Sequence, residues 1–134
     1  MKIGDIQSQG RSYVLMNSTV AQSTNPTSII NYDTITTDEL GEATATRFTA
    51  QNAGKYLAVF RCHWGLPETW HALMINKNGV SQEIGYHEAT SLDNAAFQIS
   101  AVIDMAIGDY LETTAFGQAG GNNANARLFV IRIL

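Results

Sequence analysis

One stretch in the first half of the chain places apolar residues at every second position more regularly than the rest. Every second residue from Tyr56 to Trp64 is apolar and falls on one face of a strand. On the other face, Leu57 and Val59 come first and are followed by Arg61 and His63. A strand that is apolar on both faces at its start is covered on both sides. The pattern therefore predicts a central strand whose second face meets another layer or another subunit.

Further short apolar runs, separated by polar turns, bring the expected total to about eight to ten strands, with no helical period over a useful length. Strands at this spacing are typical of a sandwich or barrel, and the absence of β–α–β alternation makes a parallel sheet unexpected. Asn78-Gly79 is a strong hairpin signal because both residues tolerate positive φ. The runs are residues 13–16, 27–32, 70–75, 80–87, 95–105, 110–116 and 126–134.

The last run, residues 126–134, is apolar on both of its faces. A strand of this kind at the surface would promote aggregation. We therefore expect it in the middle of a sheet, beside a contact between subunits. Self-association follows from the residues themselves, although the number of subunits does not.

Composition favours a protein that packs closely with others. Charged residues make up only 15% of the 134 residues, against a usual value of about 25%. Amides and hydroxyls take their place, which suits a protein that packs against copies of itself or works outside the cell. The length fits one domain.

Charge and hydropathy exclude several classes of protein. The net charge is −4 and the basic residues are scattered, so nucleic-acid binding is not expected. No run approaches the roughly 20 apolar residues of a membrane span, and residues 1–5 lack the apolar core of a secretion signal. These features predict a protein made in a cytoplasm, without membrane insertion. If it is exported, it leaves by another route, such as the release of virus particles by lysis.

No catalytic signature is present. The single cysteine, Cys62, lies in the alternating pattern of a buried strand, where a thiol packs as a small hydrophobe. His63 points to the opposite face of that strand, which argues against a Cys/His pair. Serine and cysteine nucleophile motifs are missing, and nothing identifies Glu68 and Glu112 as a carboxylate pair for sugar hydrolysis. We assign no catalytic residue and expect no enzyme.

Two groups of residues are candidates for a metal site. Histidines fall on three successive strands, and an oligomer would bring copies of them near an axis. An acidic patch could supply the carboxylates of a calcium site. Ordinary histidines and a solvated acidic turn are the alternatives, and no cofactor is expected beyond the calcium possibility. The histidines are His63, His71 and His87, and the acidic residues are Asp33, Asp38, Glu39 and Glu42.

The loop after the central strand is the candidate ligand contact. Trp64 and Trp70 bracket a hairpin over residues 64–70. Aromatic side chains on a loop can stack on a sugar ring or fill a partner's pocket. Trp64 fits the core or a contact between subunits better, so we predict a ligand-binding group of Trp70, Glu68 and His71.

Five landmarks in chain order carry a resemblance. The segment from about residue 19 to 134 resembles the globular head domains of the complement and tumour necrosis factor superfamily. The landmarks are an early strand ending in an aromatic residue and Asp, a Phe–turn–Gly–Lys–Tyr signature, a Lys-Asn-Gly hairpin, a strand before a Gly-Asp turn, and an apolar closing strand. They lie at residues 27–33, 48–60, 76–79, 97–110 and 129–134.

The resemblance implies an all-β jelly-roll sandwich of two antiparallel sheets, assembled as a tight homotrimer. Residues 19–134 would form this domain, and residues 1–18 an N-terminal arm with a first short strand. The signature aromatic residues and the closing strand would lie near the threefold core. The trimer interface and core residues implied in this way are Tyr56, Val59, Phe60, Phe129, Ile131 and Ile133.

The resemblance also implies a binding domain and no enzyme. The same fold recurs in bacteriophage fibres, spikes and capsid ornaments. We therefore expect a virion module, either a capsid decoration or a fibre or spike head. Residues 1–12 would tether it, and loops 65–70 and 117–125 would contact other virion proteins or a host glycan or receptor. The alternative is a carbohydrate- or receptor-binding module of a secreted or cell-surface protein.

Overall fold

The structure is a computed structural model that describes residues 11–20, 22–23, 27–64, 71–87, 95–117 and 123–134. These residues form eleven strands and no helix. Accordingly, the described part has no helix long and apolar enough to cross a membrane. The strands are β1 (Tyr13–Asn17), β2 (Gln22–Ser23), β3 (Ser28–Ile29), β4 (Thr34–Asp38), β5 (Phe48–Thr49), β6 (Gly54–Trp64), β7 (His71–Lys77), β8 (Val80–His87), β9 (Ala95–Met105), β10 (Tyr110–Gly117) and β11 (Asn123–Arg132).

The strands form two antiparallel sheets. The first sheet has the order β4-β1-β11-β6-β9, with β2 added beside β11. The second has the order β3-β10-β7-β8, with β5 added beside β10. Both β6 and β11 lie inside the first sheet, as their apolar faces predict. The arrangement confirms the all-β sandwich.

The hydrophobic core lies between the two sheets. The even-numbered residues of β6 from Tyr56 to Cys62 point inward and are fully buried, whereas its odd-numbered residues point away from the core. The rings of Phe48 and Tyr56 pack with centroids 5.5 Å apart. The largest fully buried side chains of the described residues include Tyr32, Tyr56, Phe48, Phe60, Met16, Ile30, Leu73, Ile75, Leu111 and Leu128.

The predicted Asn-Gly hairpin is confirmed. Asn78 and Gly79 have φ values of 50° and 82°, and they join β7 to β8. Positive φ at both central residues gives a turn whose twist matches that of paired strands.

Three expectations about elements are corrected. Strand β4 was not predicted, because it is a largely exposed edge strand and needs no apolar alternation. Strand β11 begins at Asn123 instead of Ala126, so residues 123–125 belong to a strand and not to the loop 117–125. Strands β6 and β7 do not pair as the two arms of the expected hairpin, because they belong to different sheets.

Candidate functional site

The outer face of the first sheet carries two apolar rows. Strand register aligns residues from four neighbouring strands in each row, all pointing away from the core. We call these two rows the apolar half of the face. The first row is Tyr13, Ile131, Leu57 and Val102, and the second is Leu15, Phe129, Val59 and Ser100.

The apolar half is only partly covered within one protomer. The rings of Tyr13 and Phe129 meet edge to face, with centroids 5.2 Å apart and planes at 83°. Val102, in the outermost strand of the row, is 60% exposed. Beside the two rings lies a depression of about 350 Å³, which Leu15 and Val59 also line and which extends to the two arginines of the next row. Apolar side chains of four strands thus form a continuous, partly exposed surface.

The same face becomes polar toward one end of the sheet. A third row contains Asn17, Arg127, Arg61 and Gln98, and a fourth contains Asn125 and His63. We call these rows the cationic half. Arg127 donates from Nε to Asn17 Oδ1 at 2.9 Å. A pocket of about 260 Å³ is lined by both arginines, His63 and the two asparagines.

The predicted interface residues separate into two groups. Val59, Phe129 and Ile131 lie on the outer face, as a contact between subunits requires. Ile133 follows β11 and is 45% exposed. Tyr56 and Phe60 belong to the core and not to the outer face, because both are fully buried between the two sheets of one protomer. Strand alternation is the cause, since neighbours along β6 point to opposite faces.

The predicted ligand residues are not brought together by the described part of the chain. Glu68 and Trp70 lie outside the described residues, as do most of the two loops proposed for outside contacts. His71 begins β7 and is fully buried. A buried side chain is not accessible to a ligand at the surface, so His71 loses its assigned role in this structure.

The candidate metal groups are only partly brought together, since His71 and His87 are register partners in the second sheet whereas His63 lies in the first. Among the described residues, no three His, Cys, Asp or Glu side chains are grouped so that they could hold a metal ion. Asp33 accepts hydrogen bonds from Thr19, which lower the pKa of this carboxyl. Asp38 instead accepts from the backbone N–H groups of Glu42 and Ala43. Asp33 thus ties the segment after β1 to the start of β4, and Asp38 holds the turn that follows β4.

Cys62 is buried, as expected for a thiol that packs as a hydrophobe. Burial raises the pKa of the thiol far above its ordinary value. A thiol held protonated in this way is a poor nucleophile. Its surroundings therefore match the structural role that the strand pattern predicts.

Glu42 is the one acidic residue of the predicted patch that is buried, at 2% exposure. Its Oε2 accepts hydrogen bonds from the Gln51 N–H at 2.9 Å and from Ser12 Oγ at 3.2 Å. Its Oε1 has no hydrogen-bond partner among the described residues. Burial raises the pKa of Glu42, and the charge of Asp38 adds to this effect. Glu42 therefore holds a proton more readily in the folded protein than in the unfolded chain.

Replacing Glu42 with glutamine is expected to change how stability depends on pH. Because the pKa of Glu42 is higher in the folded protein than in the unfolded chain, its contribution to stability is largest below the ordinary value of 4.5 and falls as pH rises through the folded pKa. Glu42→Gln should therefore become more stable relative to the parent protein as pH rises. Urea unfolding at several pH values above 4 measures this difference. Glu83→Gln, at an exposed carboxylate, is the control, and equal pH dependence in the parent and Glu42→Gln would contradict the assignment.

Sheet order and the two-layer core define the chain as a jelly-roll β-sandwich. Among solved structures, it is similar to the globular domain of the zebrafish complement 1qA protein, with a TM-score of 0.76 and 16% identity over 93% of this chain and 98% of that one. It is also similar to murine APRIL at pH 5.0, with a TM-score of 0.68 and 11% identity over 91% and 99% of the two chains.

These identities show the fold alone, and they confirm the predicted jelly roll. No protein-family model matches the chain. No curated protein matches it either. The function must therefore be argued from the residues of this chain.

Proposed function

We propose that the protein is a non-enzymatic, homotrimeric binding module whose subunits meet through the apolar half of the first sheet. The observation that carries the proposal is the pair of apolar rows across β1, β11, β6 and β9. Large exposed apolar patches mark interaction sites. The threefold assembly is the one that the family resemblance implies.

The central position of β11 supports this assembly. Its inward residues Leu128 and Val130 fill the core, whereas Phe129 and Ile131 occupy the outer face. A strand of this kind is apolar on both sides because it serves two layers. The second sheet provides one of them, and a neighbouring subunit would provide the other.

We further propose that the trimer works in a virion, as a capsid decoration or as the head of a fibre or spike. The composition supports this setting, since only 15% of the residues are charged and uncharged polar surfaces pack closely at low electrostatic cost. Its partners would be other virion proteins or a glycan or receptor on the host surface. Mass spectrometry of purified virus particles would test the proposed place in a virion, and particles that lack the chain would contradict it.

The mass of the protein in solution tests the assembly. Light scattering on a sizing column is expected to give three times the chain mass, independent of protein concentration in the micromolar range. A chelator is expected to leave this mass unchanged, because the described carboxylates form no metal group. A single-chain mass would contradict the proposal.

A carbohydrate- or receptor-binding module of a secreted or cell-surface protein is the second candidate. One observation favours it, since Tyr86 on β8 presents an aromatic side chain that is 64% exposed. An exposed aromatic ring can stack on a sugar. A glycan array without any bound sugar would count against this candidate and would leave the assembly proposal intact.

A further inference from the structure

The cationic half of the outer face places two arginines directly opposite each other. Arg61 on β6 and Arg127 on β11 are register partners and point to the same side of the sheet. Directly opposed residues of an antiparallel pair have Cα atoms about 4.5–5.5 Å apart. Like charges in this position destabilise a sheet. Both side chains are exposed to solvent, and a negative group bound between them would relieve the repulsion.

No described side chain supplies that group. The ion pairs of the described residues are Arg47–Glu112, Lys55–Asp104 and Lys77–Asp109, and none of them involves the opposed arginines. Arg127 is instead held by a neutral residue, because its Nε donates to Asn17 Oδ1. This contact fixes the guanidinium plane and engages only one of its three nitrogens.

The amide side chains that line the pocket carry no charge, so they do not compensate the two arginines. Asn17 donates from Nδ2 to Thr36 Oγ1 at 3.3 Å, and Asn125 donates from Nδ2 to the Ser18 carbonyl at 3.1 Å. The amide nitrogen of each asparagine is thus already engaged by a neighbouring oxygen. His63 lies two residues beyond Arg61 on the same face, opposite Asn125, and it also lines the pocket.

We propose that Arg61, Arg127 and His63 form a binding site for a phosphate or sulfate group. The pocket volume of about 260 Å³ has room for such a group. Guanidinium groups bind oxyanions through two parallel hydrogen bonds, and charge-assisted bonds of this kind are about twice as strong as neutral ones. The group is either a free ion or a substituent of a saccharide.

The site is complete within one protomer and does not require the proposed trimer. It lies where β6 ends, β11 begins and β1 ends, at one edge of the outer face. The two arginines also border the depression in the apolar half. His63 and the strand ends lie on the other side of them, so a neighbouring subunit that covers the apolar half would leave an approach from that side. Failure of the trimer proposal and failure of this one are distinguishable for the same reason.

Isothermal titration of the full chain with sodium phosphate and with sodium sulfate, at constant ionic strength set by chloride, tests the site. We expect saturable binding of one ion per chain. Arg61→Gln and Arg127→Gln should each weaken binding by about tenfold or more, because each removes charged hydrogen bonds. Arg132→Gln is the matched control, since it removes the same charge from the far end of β11.

Thermal melting gives a second readout that separates binding from misfolding. In phosphate-free buffer, Arg127→Gln is expected to melt no lower than the parent protein, because it relieves the repulsion between opposed arginines. Phosphate should raise the melting temperature of the parent protein and of Arg132→Gln, but not that of Arg127→Gln. Absence of saturable binding to the parent protein, or equal binding by all variants, would overturn the proposal.

A third titration distinguishes the source of the group. N-acetylglucosamine 6-sulfate is compared with inorganic sulfate and with unmodified N-acetylglucosamine. Tighter binding of the sulfated sugar than of sulfate identifies a substituted saccharide, whereas equal or weaker binding identifies the free ion. Binding of unmodified sugar as strong as that of the sulfated sugar would contradict an oxyanion site.

Discussion

Replacing Val59 with aspartate is expected to reduce the solution mass of the protein from three chains to one. Val59 lies inside the second apolar row, between Phe129 and Ser100. In a single protomer, the new carboxylate would face water beside Arg61 and Arg127, which line the same depression. Burying it in the proposed trimer would cost several kcal/mol of desolvation, and three symmetric copies would apply that cost three times. Light scattering at micromolar concentration measures the result.

A matched control separates the interface from the general cost of a surface charge. Ile84 is 41% exposed and lies on β8 in the second sheet. Ile84→Asp places the same charge on a strand that takes no part in the proposed contact. The solution mass of this variant should therefore remain that of the parent protein. A trimer that survives Val59→Asp, or one that Ile84→Asp dissociates, would contradict the location of the interface.

The fold was largely predictable, because alternation along a strand is a local property. The sequence from Tyr56 to Trp64 already shows which residues share a face, and burial of Ala58 and Cys62 confirms that pattern. The Asn78-Gly79 turn is local in the same sense. Strand β4 was missed for the opposite reason, since an exposed edge strand leaves little hydrophobic pattern.

The site was predictable only in part, because register and sheet membership are not local. The sequence around Tyr13 indicated only a short first strand, and it is the register of that strand that places Tyr13 beside Ile131 on the outer face. The opposition of Arg61 and Arg127 depends on the pairing of strands that are far apart in the chain. His71 was expected at a surface hairpin, but β7 joins the second sheet, where this side chain is buried.

The order of the rows on the outer face separates an apolar surface from a cationic one. Two apolar rows suit a permanent contact, because such interfaces are more hydrophobic than transient ones. The cationic rows beyond them would be costly in the same contact, since opposed arginines would be desolvated together. On the outer face of β6, the change from Val59 to Arg61 thus marks the boundary between a surface for assembly and a surface for an anion.

Replacing Phe60 with alanine is expected to lower the free energy of unfolding by about 3–5 kcal/mol, as is typical when a large buried aromatic residue is truncated. Phe60 is adjacent to Val59 but fully buried in the core of one protomer. The loss should therefore appear in urea unfolding at a fixed chain concentration, since the stability of an oligomer depends on concentration. Ile84→Ala, at a partly exposed position, is the control and should cost much less. A Phe60→Ala protein that keeps its stability but dissociates would place this ring at the contact between subunits instead of in the core.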